Sequence, residues 1–341
     1  MLVSICVLVF LATYTVWLGS VISASNSLLS VDPDELESVD MTLLQALTIP
    51  ITSSIFLLLL FFFFEYAQYI MVLLIMLGCA SATYHLTNLG LRNLFDVNDK
   101  VGVAVSLCTT VLILCYWAAT GDIILHNLLG CALCIQFIST LRFPSLKIAV
   151  VCLSLLMVYD IFWVFFSEYF FEKNVMVSVA TKVAANPIYE VGKHMHMAMG
   201  YVKPTMELPI KLMIPNFENG RMMMLGLGDV ALPGALVSLA VRCDQAIQST
   251  NDTDPTDLEA PTLPLKISNK PVPVTGLFQH AMVGYFMGLV GAFVGNFLSA
   301  HAQPALIYLV PAVLLAIVGR ALAVGRLQDV WAGPVKVQQS S

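Results

Sequence analysis

Two carboxylates fall inside long apolar runs: Asp160 in Leu156-Met157-Val158-Tyr159-Asp160-Ile161-Phe162-Trp163 and Asp229 in Leu225-Gly226-Leu227-Gly228-Asp229-Val230. A charge at membrane depth costs about 2.5–3.5 kcal/mol on insertion scales, so an intramembrane aspartate is a functional candidate by default. The bland alternative is that each pairs with another helix as structural glue. No Lys or Arg lies deep in these runs to neutralise them, so the obvious partner of each aspartate is the other. Two facing carboxylates that share one proton are the apparatus of aspartic proteolysis, because like charges a few ångströms apart cannot both ionise. The ionised member can activate water while the protonated one polarises the scissile carbonyl. Gly226 and Gly228 remove side chains on either side of Leu227, which allows a substrate backbone to approach closely. The same glycines also suit helix packing, the commoner use of small residues in membranes. Pro233-Gly234, one turn later, weakens the helix further.

Stepping from these residues to the elements that must hold them, composition is decisive. Of 341 residues 58% are hydrophobic and only 11% charged, against about 25% charged in soluble domains. The charge is missing in blocks: 1–31, 41–64, 66–91, 101–121, 123–141 and 271–319 contain no Asp, Glu, Lys or Arg. An ordinary soluble enzyme is excluded, and runs of about 18 or more apolar residues read as membrane spans. The net charge of −6 and the lack of a basic stripe exclude nucleic acid. The expected fold is an all-α polytopic membrane protein with nine helices at about 1–24, 43–64, 66–89, 101–121, 123–142, 145–166, 221–242, 274–299 and 303–324. A tight turn is expected at Glu65, and the polar stretch Ser299 to Pro304 splits the last long run. Residues 167–220 read as a long mixed loop. The first run lacks the positive n-region of a signal peptide, so it is expected to be a retained span. Helices one to five (1–144) are expected to form a scaffold and helices six to nine (145–341) the catalytic part of one membrane domain.

An odd number of spans puts the termini on opposite sides, and Lys/Arg placement chooses the orientation. With the N-terminus outside, Arg92, Lys100, Arg142, Lys147, Arg242, Lys266, Lys270, Arg320, Arg326 and Lys336 are cytosolic. Lys173, Lys182, Lys193, Lys203, Lys211 and Arg221 then share one long loop on the opposite side. The acidic 32–40 loop becomes cytosolic, at little cost because acidic residues barely influence orientation.

Three words carry a family resemblance: Tyr159-Asp160, Gly226-Leu227-Gly228-Asp229 and Gln303-Pro304-Ala305-Leu306 resemble the signatures of the intramembrane aspartyl proteases, the presenilins and signal peptide peptidases. The stretches 159–165, Asn174 to Ala180 and Leu306 to Pro311 resemble signal peptide peptidase more than presenilin. The resemblance covers about residues 45–325 and implies a presenilin-like fold, Asp160 and Asp229 as the catalytic pair, and 304–306 as a segment that shapes the site and helps bind substrate. It implies residence in the endoplasmic reticulum, with a lumenal N-terminus that agrees with the charge argument. Physically, Pro304 has no N–H and breaks the start of span nine, freeing backbone groups for an unwound substrate; it is equally suited to capping that helix. Gln303 can add a side-chain amide and Tyr159 a hydroxyl near the dyad. The implied substrates are transmembrane peptides such as remnant signal peptides and type II membrane proteins. The lipid bilayer is the other expected partner, homo-oligomerisation stays open, and no cofactor is expected. The loop between spans six and seven is longer than the family pattern, and the chain ends in Val337-Gln338-Gln339-Ser340-Ser341 without a dilysine-type retrieval signal.

The remaining candidates read as structural. Seven of the eight cysteines lie inside apolar runs and Cys243 ends another; Cys131 and Cys134 form a CxxC in an apolar helix, with no second pair to make a metal site. His194 and His196 lack a third ligand, and His85, His126, His280 and His301 read as satisfied interfacial residues. Gly284, Gly288, Gly291 and Gly295 make one small face for close packing on span eight. Met222-Met223-Met224 reads as lipid-facing filler at the start of span seven, and the sequon at Asn251 falls in a loop expected to be cytosolic and unmodified. The rival readings are a proton- or cation-coupled transporter or channel, which predicts half-repeats that are not evident, and a non-catalytic escort of membrane proteins.

Overall fold

The computed structural model describes residues 2–29, 39–95, 99–172, 174–195, 202–216, 222–251, 276–299 and 303–334. In chain order the elements are α1 (Leu2–Leu29), β1 (Val39–Asp40), α2 (Leu43–Phe62), α3 (Phe64–Phe95), α4 (Asp99–Thr120), α5 (Ile123–Thr140), β2 (Leu141–Arg142) and α6 (Leu146–Ile161). A π-helical segment, Phe162–Phe166, follows, then α7 (Ser167–Phe171), α8 (Val175–Ala180), β3 (Ala184–Ala185), α9 (Pro187–His194), β4 (Thr205–Met206), β5 (Lys211–Pro215) and β6 (Met222–Gly226). The chain then forms α10 (Leu227–Asn251), α11 (Leu277–Ser299), α12 (Leu306–Val324) and α13 (Leu327–Ala332). Among the described residues nine helices are long and apolar enough to cross a membrane, and all nine expected spans are present. Helix is the form such runs must take, because lipid offers no partner for backbone N–H and C=O groups.

Several boundaries differ from expectation. The break between the second and third spans is at Phe63, whose N–H donates to Leu59 O at 2.8 Å and whose O accepts from Ala67 N at 2.9 Å. Glu65 lies inside the first turn of α3, where the helix dipole favours an acidic side chain. Span six does not stop at 166 but runs through the π-helical segment to Phe171. The stretch expected as loop, 167–220, contains α7 to α9 and strands β3 to β5. Met222-Met223-Met224 is not the start of span seven: it is strand β6, antiparallel to β5 with Met213 opposite Met224, and the helix begins at Leu227. Span nine begins at Leu306, so Pro304 precedes the helix and does not occupy its first turn. Asn251 is the last residue of α10, while Asp252 and Thr253 of its sequon lie outside the described residues.

Two compact units are built from interleaved segments, Met1–Leu11, Thr52–Gln136 and Phe162–Gly228 in the first, and Ala12–Ile51, Phe137–Ile161 and Asp229–Ser341 in the second. In the first unit α3 packs on α4 and on β3, and α8 packs on the π-helical segment. That wider turn leaves carbonyls for side chains: Asn174 Nδ2 donates to Val164 O at 2.6 Å and Ser167 Oγ donates to Trp163 O at 2.6 Å. Ser167 Oγ in turn accepts from Val175 N at 3.2 Å, which ties α8 back to the segment it follows.

In the second unit α11 and α12 form the closest helix pair, with α6 and α13 packed on α12. Small residues permit this, since lipid supplies no hydrophobic drive between helices and dispersion contact must hold them. A Cβ on Gly284 would lie 2.7 Å from Ala316 Cβ and 2.8 Å from Ala312 O, and one on Gly288 would lie 2.9 Å from Leu309 Cα. The fully buried Asp244 on α10 caps α11: Leu277 N donates to its Oδ1 at 3.2 Å and Phe278 N to its Oδ2 at 2.9 Å. Two of the orphan donors at the start of α11 are thereby satisfied from a neighbouring helix.

Candidate active site

Asp160 and Asp229 belong to the same compact unit. Asp160, 4% exposed, is the penultimate residue of α6; Asp229, half-buried, is in the first turn of α10. The two carboxyls are close enough that the charge on Asp160 acts on Asp229. Tyr159, half-buried, also lies within electrostatic reach of Asp160. The span carrying Asp229 is the most enclosed of the nine, 89% buried within the protein against 50% or less for the others. Its enclosure rests partly on Gly234, where a Cβ would meet Ile138 Cδ1 at 2.5 Å and Val16 Cγ2 at 3.1 Å.

Gly226, Leu227 and Gly228 are placed by the β5–β6 hairpin, which runs without a break into α10. Gly226 ends β6 opposite Lys211, and Leu227 N donates to Ile210 O at 3.0 Å. Gly228 is exposed, with open space where a Cβ would be. The hairpin lies on α5. Asp122 caps that helix by accepting from Ile124 N and Leu125 N at 2.8 and 3.0 Å, and the next turn presents His126 and Asn127. Asn127 behaves like a neighbouring strand: its Nδ2 donates to Met213 O at 2.7 Å and its Oδ1 accepts from Met213 N at 2.8 Å. His126 Nε2 lies 2.9 Å from Lys211 O, and Ser4 Oγ donates to Pro215 O at 3.1 Å. One turn further along α5, a Cβ on Gly130 would sit 3.3 Å from Leu212 Cδ2 and 3.5 Å from Leu227 Cδ1, and Cys134 Sγ donates weakly to Leu227 O at 3.7 Å. His126 is thus satisfied, as expected, but Asn127, Gly130 and Cys134 were missed as residues that place the glycine-rich turn. The available signal was an amide and a glycine in an otherwise apolar run.

The segment 303–306 lies in the second unit with the aspartates. Pro304 and Leu306 are buried, Gln303 and Ala305 half-buried. Ala305 takes the N-cap position of α12, its O accepting from Tyr308 N and Leu309 N, both at 3.1 Å. Gln303 Oε1 accepts from the Tyr308 hydroxyl at 2.5 Å. Among the described residues no group of three or more His, Cys, Asp or Glu is arranged to hold a metal. Cys131 and Cys134 are buried free thiols. His194 ends α9, and His196 lies outside the described residues.

A family model for signal peptide peptidase matches residues 33–336. The chain belongs to the signal peptide peptidase family. It is 36% identical to signal peptide peptidase-like 1 of Oryza sativa subsp. japonica over 242 residues, 68% of this chain and 62% of that one, and so spans a little under two thirds of that relative. It is 33% identical to signal peptide peptidase-like 1 of Arabidopsis thaliana over 323 residues, 87% of this chain and 83% of the relative. A solved presenilin family intramembrane aspartate protease matches 94% of this family member and 99% of its own chain, with a TM-score of 0.52 at 15% identity, a likeness of fold. Family and fold together are those of an intramembrane aspartic protease, in a multi-pass membrane protein.

Proposed function

We infer that this signal peptide peptidase family member is an intramembrane aspartyl endopeptidase in which Asp160 and Asp229 share one proton. The observation that carries this reading is the placement of two carboxyls on otherwise apolar spans in one compact unit, Asp160 at the end of α6 and Asp229 in the first turn of α10. The ionised carboxylate takes a proton from water as it attacks the scissile carbonyl, and the protonated one donates to the carbonyl oxygen. Helices before residue 145 serve as scaffold and those after it carry the chemistry. The substrates are transmembrane segments, remnant signal peptides and type II membrane proteins among them, whose helix must open before a peptide bond reaches the dyad. The outer edge of β5 is taken by Ser4, His126 and Asn127. The far edge of β6 is the one this hairpin leaves for an opened substrate strand. Gln303, Pro304, Ala305 and Leu306 border the substrate on the other motif. The excess of Lys and Arg in the short loops on one side supports a lumenal N-terminus and a cytosolic C-terminus, and residence in the endoplasmic reticulum membrane rests on the family alone.

The test is the purified chain alone, reconstituted in lipid with a model signal peptide. Cleavage is expected from the native chain, and none from Asp160→Ala or Asp229→Ala at unchanged or higher thermal stability, since each removed carboxyl was costly to insert. Robust cleavage by either folded variant would sink the assignment.

A further inference from the structure

Gln303 is held by a residue outside the three sequence signatures. Tyr308, in the first turn of α12, donates its hydroxyl to Gln303 Oε1. The ring has room because α11 offers glycine beneath it. A Cβ on Gly291 would lie 3.6 Å from Tyr308 Cδ1, an ordinary contact, whereas a Cβ on Gly295 would overlap the Tyr308 hydroxyl and lie 2.6 Å from its Cζ and 3.0 Å from Gln303 Oε1. Gly284 and Gly288, earlier on the same face, meet the backbone and alanines of α12. The face thus serves two ends: its first half brings two helices together, and Gly295 leaves the space that the Tyr308–Gln303 pair fills. An amide offers one acceptor group and one NH2 donor group. With Tyr308 on Oε1, the NH2 is the donor that Gln303 has left to offer.

We propose that Tyr308, housed by Gly295, is a positioning residue that fixes the Gln303 amide so that its NH2 donates to a backbone carbonyl of the opened substrate beside Pro304. The proposal rests on the proteolytic reading of the same site. Pro304 has no N–H of its own, and Gln303 adjoins it, so the side-chain amide can supply a donor where the backbone lacks one. Tyr308 touches no reacting atom; it acts through the amide.

The reconstituted full chain tests this by steady-state cleavage of a model signal peptide. Tyr308→Phe keeps the ring and removes only the hydroxyl. It is expected to raise KM about three- to tenfold, the range set by loss of one neutral hydrogen bond, with kcat within about twofold and an unchanged melting temperature. Gln303→Glu can still accept from Tyr308 but has no NH2, and should raise KM as much. Tyr308→Phe placed on Gln303→Ala should add nothing further. A native KM in Tyr308→Phe, or additive effects in the double variant, would overturn the proposal. If the native chain cleaves nothing, the proteolytic reading fails first. The amide is then read by affinity of a labelled signal peptide for the Asp229→Asn chain, which Tyr308→Phe must weaken by the same factor or the proposal falls too.

Discussion

The glycine-rich signature before Asp229 and the 303–306 signature are held in opposite ways. The glycine-rich turn before Asp229 follows a hairpin whose outer strand is gripped by four side-chain bonds from α1 and α5, every one of them to backbone atoms of Lys211, Met213 or Pro215. The segment 303–306 has a helix N-cap on one side and a side-chain bond, Tyr308 to Gln303, on the other. Bonds to backbone fix a strand whatever side chains it carries, which is why β6 can be Met-Met-Met-Leu-Gly and still have a definite register. A segment headed by proline, with one donor missing, depends on which side chains stand beside it. The first region is therefore a frame, and the second depends on the side chains beside it.

The comparison is most exposed at Asn127. Asn127→Leu leaves both Met213 N–H and Met213 O, on a residue 4% exposed, without their partner. Each orphaned buried group costs about 1–3 kcal/mol, so the variant should lose about 2–6 kcal/mol in denaturation and nearly all cleavage. If Asn127→Leu melts like the native chain, the hairpin is not held from α5.

A smaller effect is expected where helices meet by shape alone. Gly284→Ala forces its Cβ against Ala316 and the Ala312 carbonyl and should cost about 1–3 kcal/mol, read as a lowered melting temperature with KM little changed. The same substitution at Gly291 meets only the Tyr308 ring at ordinary distance and should be nearly neutral. Equal losses at the two positions would remove the distinction drawn along this face.

The smallest effect concerns pH. On the proposed mechanism only the singly protonated dyad is active, so cleavage should be bell-shaped, falling on the acid side as the pair gains its second proton and on the alkaline side as it loses its last. Tyr308→Phe should change the height of this curve at limiting substrate and leave both limbs where they are. A shifted limb would mean that the 303–306 region acts on the dyad's charge, and a flat native profile would remove the shared proton altogether.

How much of this was legible in the sequence differs by element. The spans were readable because an apolar run in lipid has one way to satisfy its backbone, and their interiors fall where expected. Asp160 and Asp229 were readable because an unneutralised carboxyl in such a run is costly. Met222 to Gly226 was misread as helix because a short apolar run has no periodicity that separates strand from buried helix, and the Asn219-Gly220 turn signal between it and its partner Lys211–Pro215 was passed over. Asn127 was passed over because an isolated amide in a span says nothing about which backbone it will meet.

By itself the sequence determined the number of spans, the two carboxylates and the order of the three signatures, since these follow from local hydropathy and residue identity. The tertiary structure decided what no local rule carries. A strand rather than a helix leads into Asp229, because β5 supplies pairing that a lone segment lacks. Asn127 grips that strand through its backbone. Gly295 leaves room for Tyr308 to hold Gln303, a relation among three residues whose meeting depends on how α11 and α12 pack.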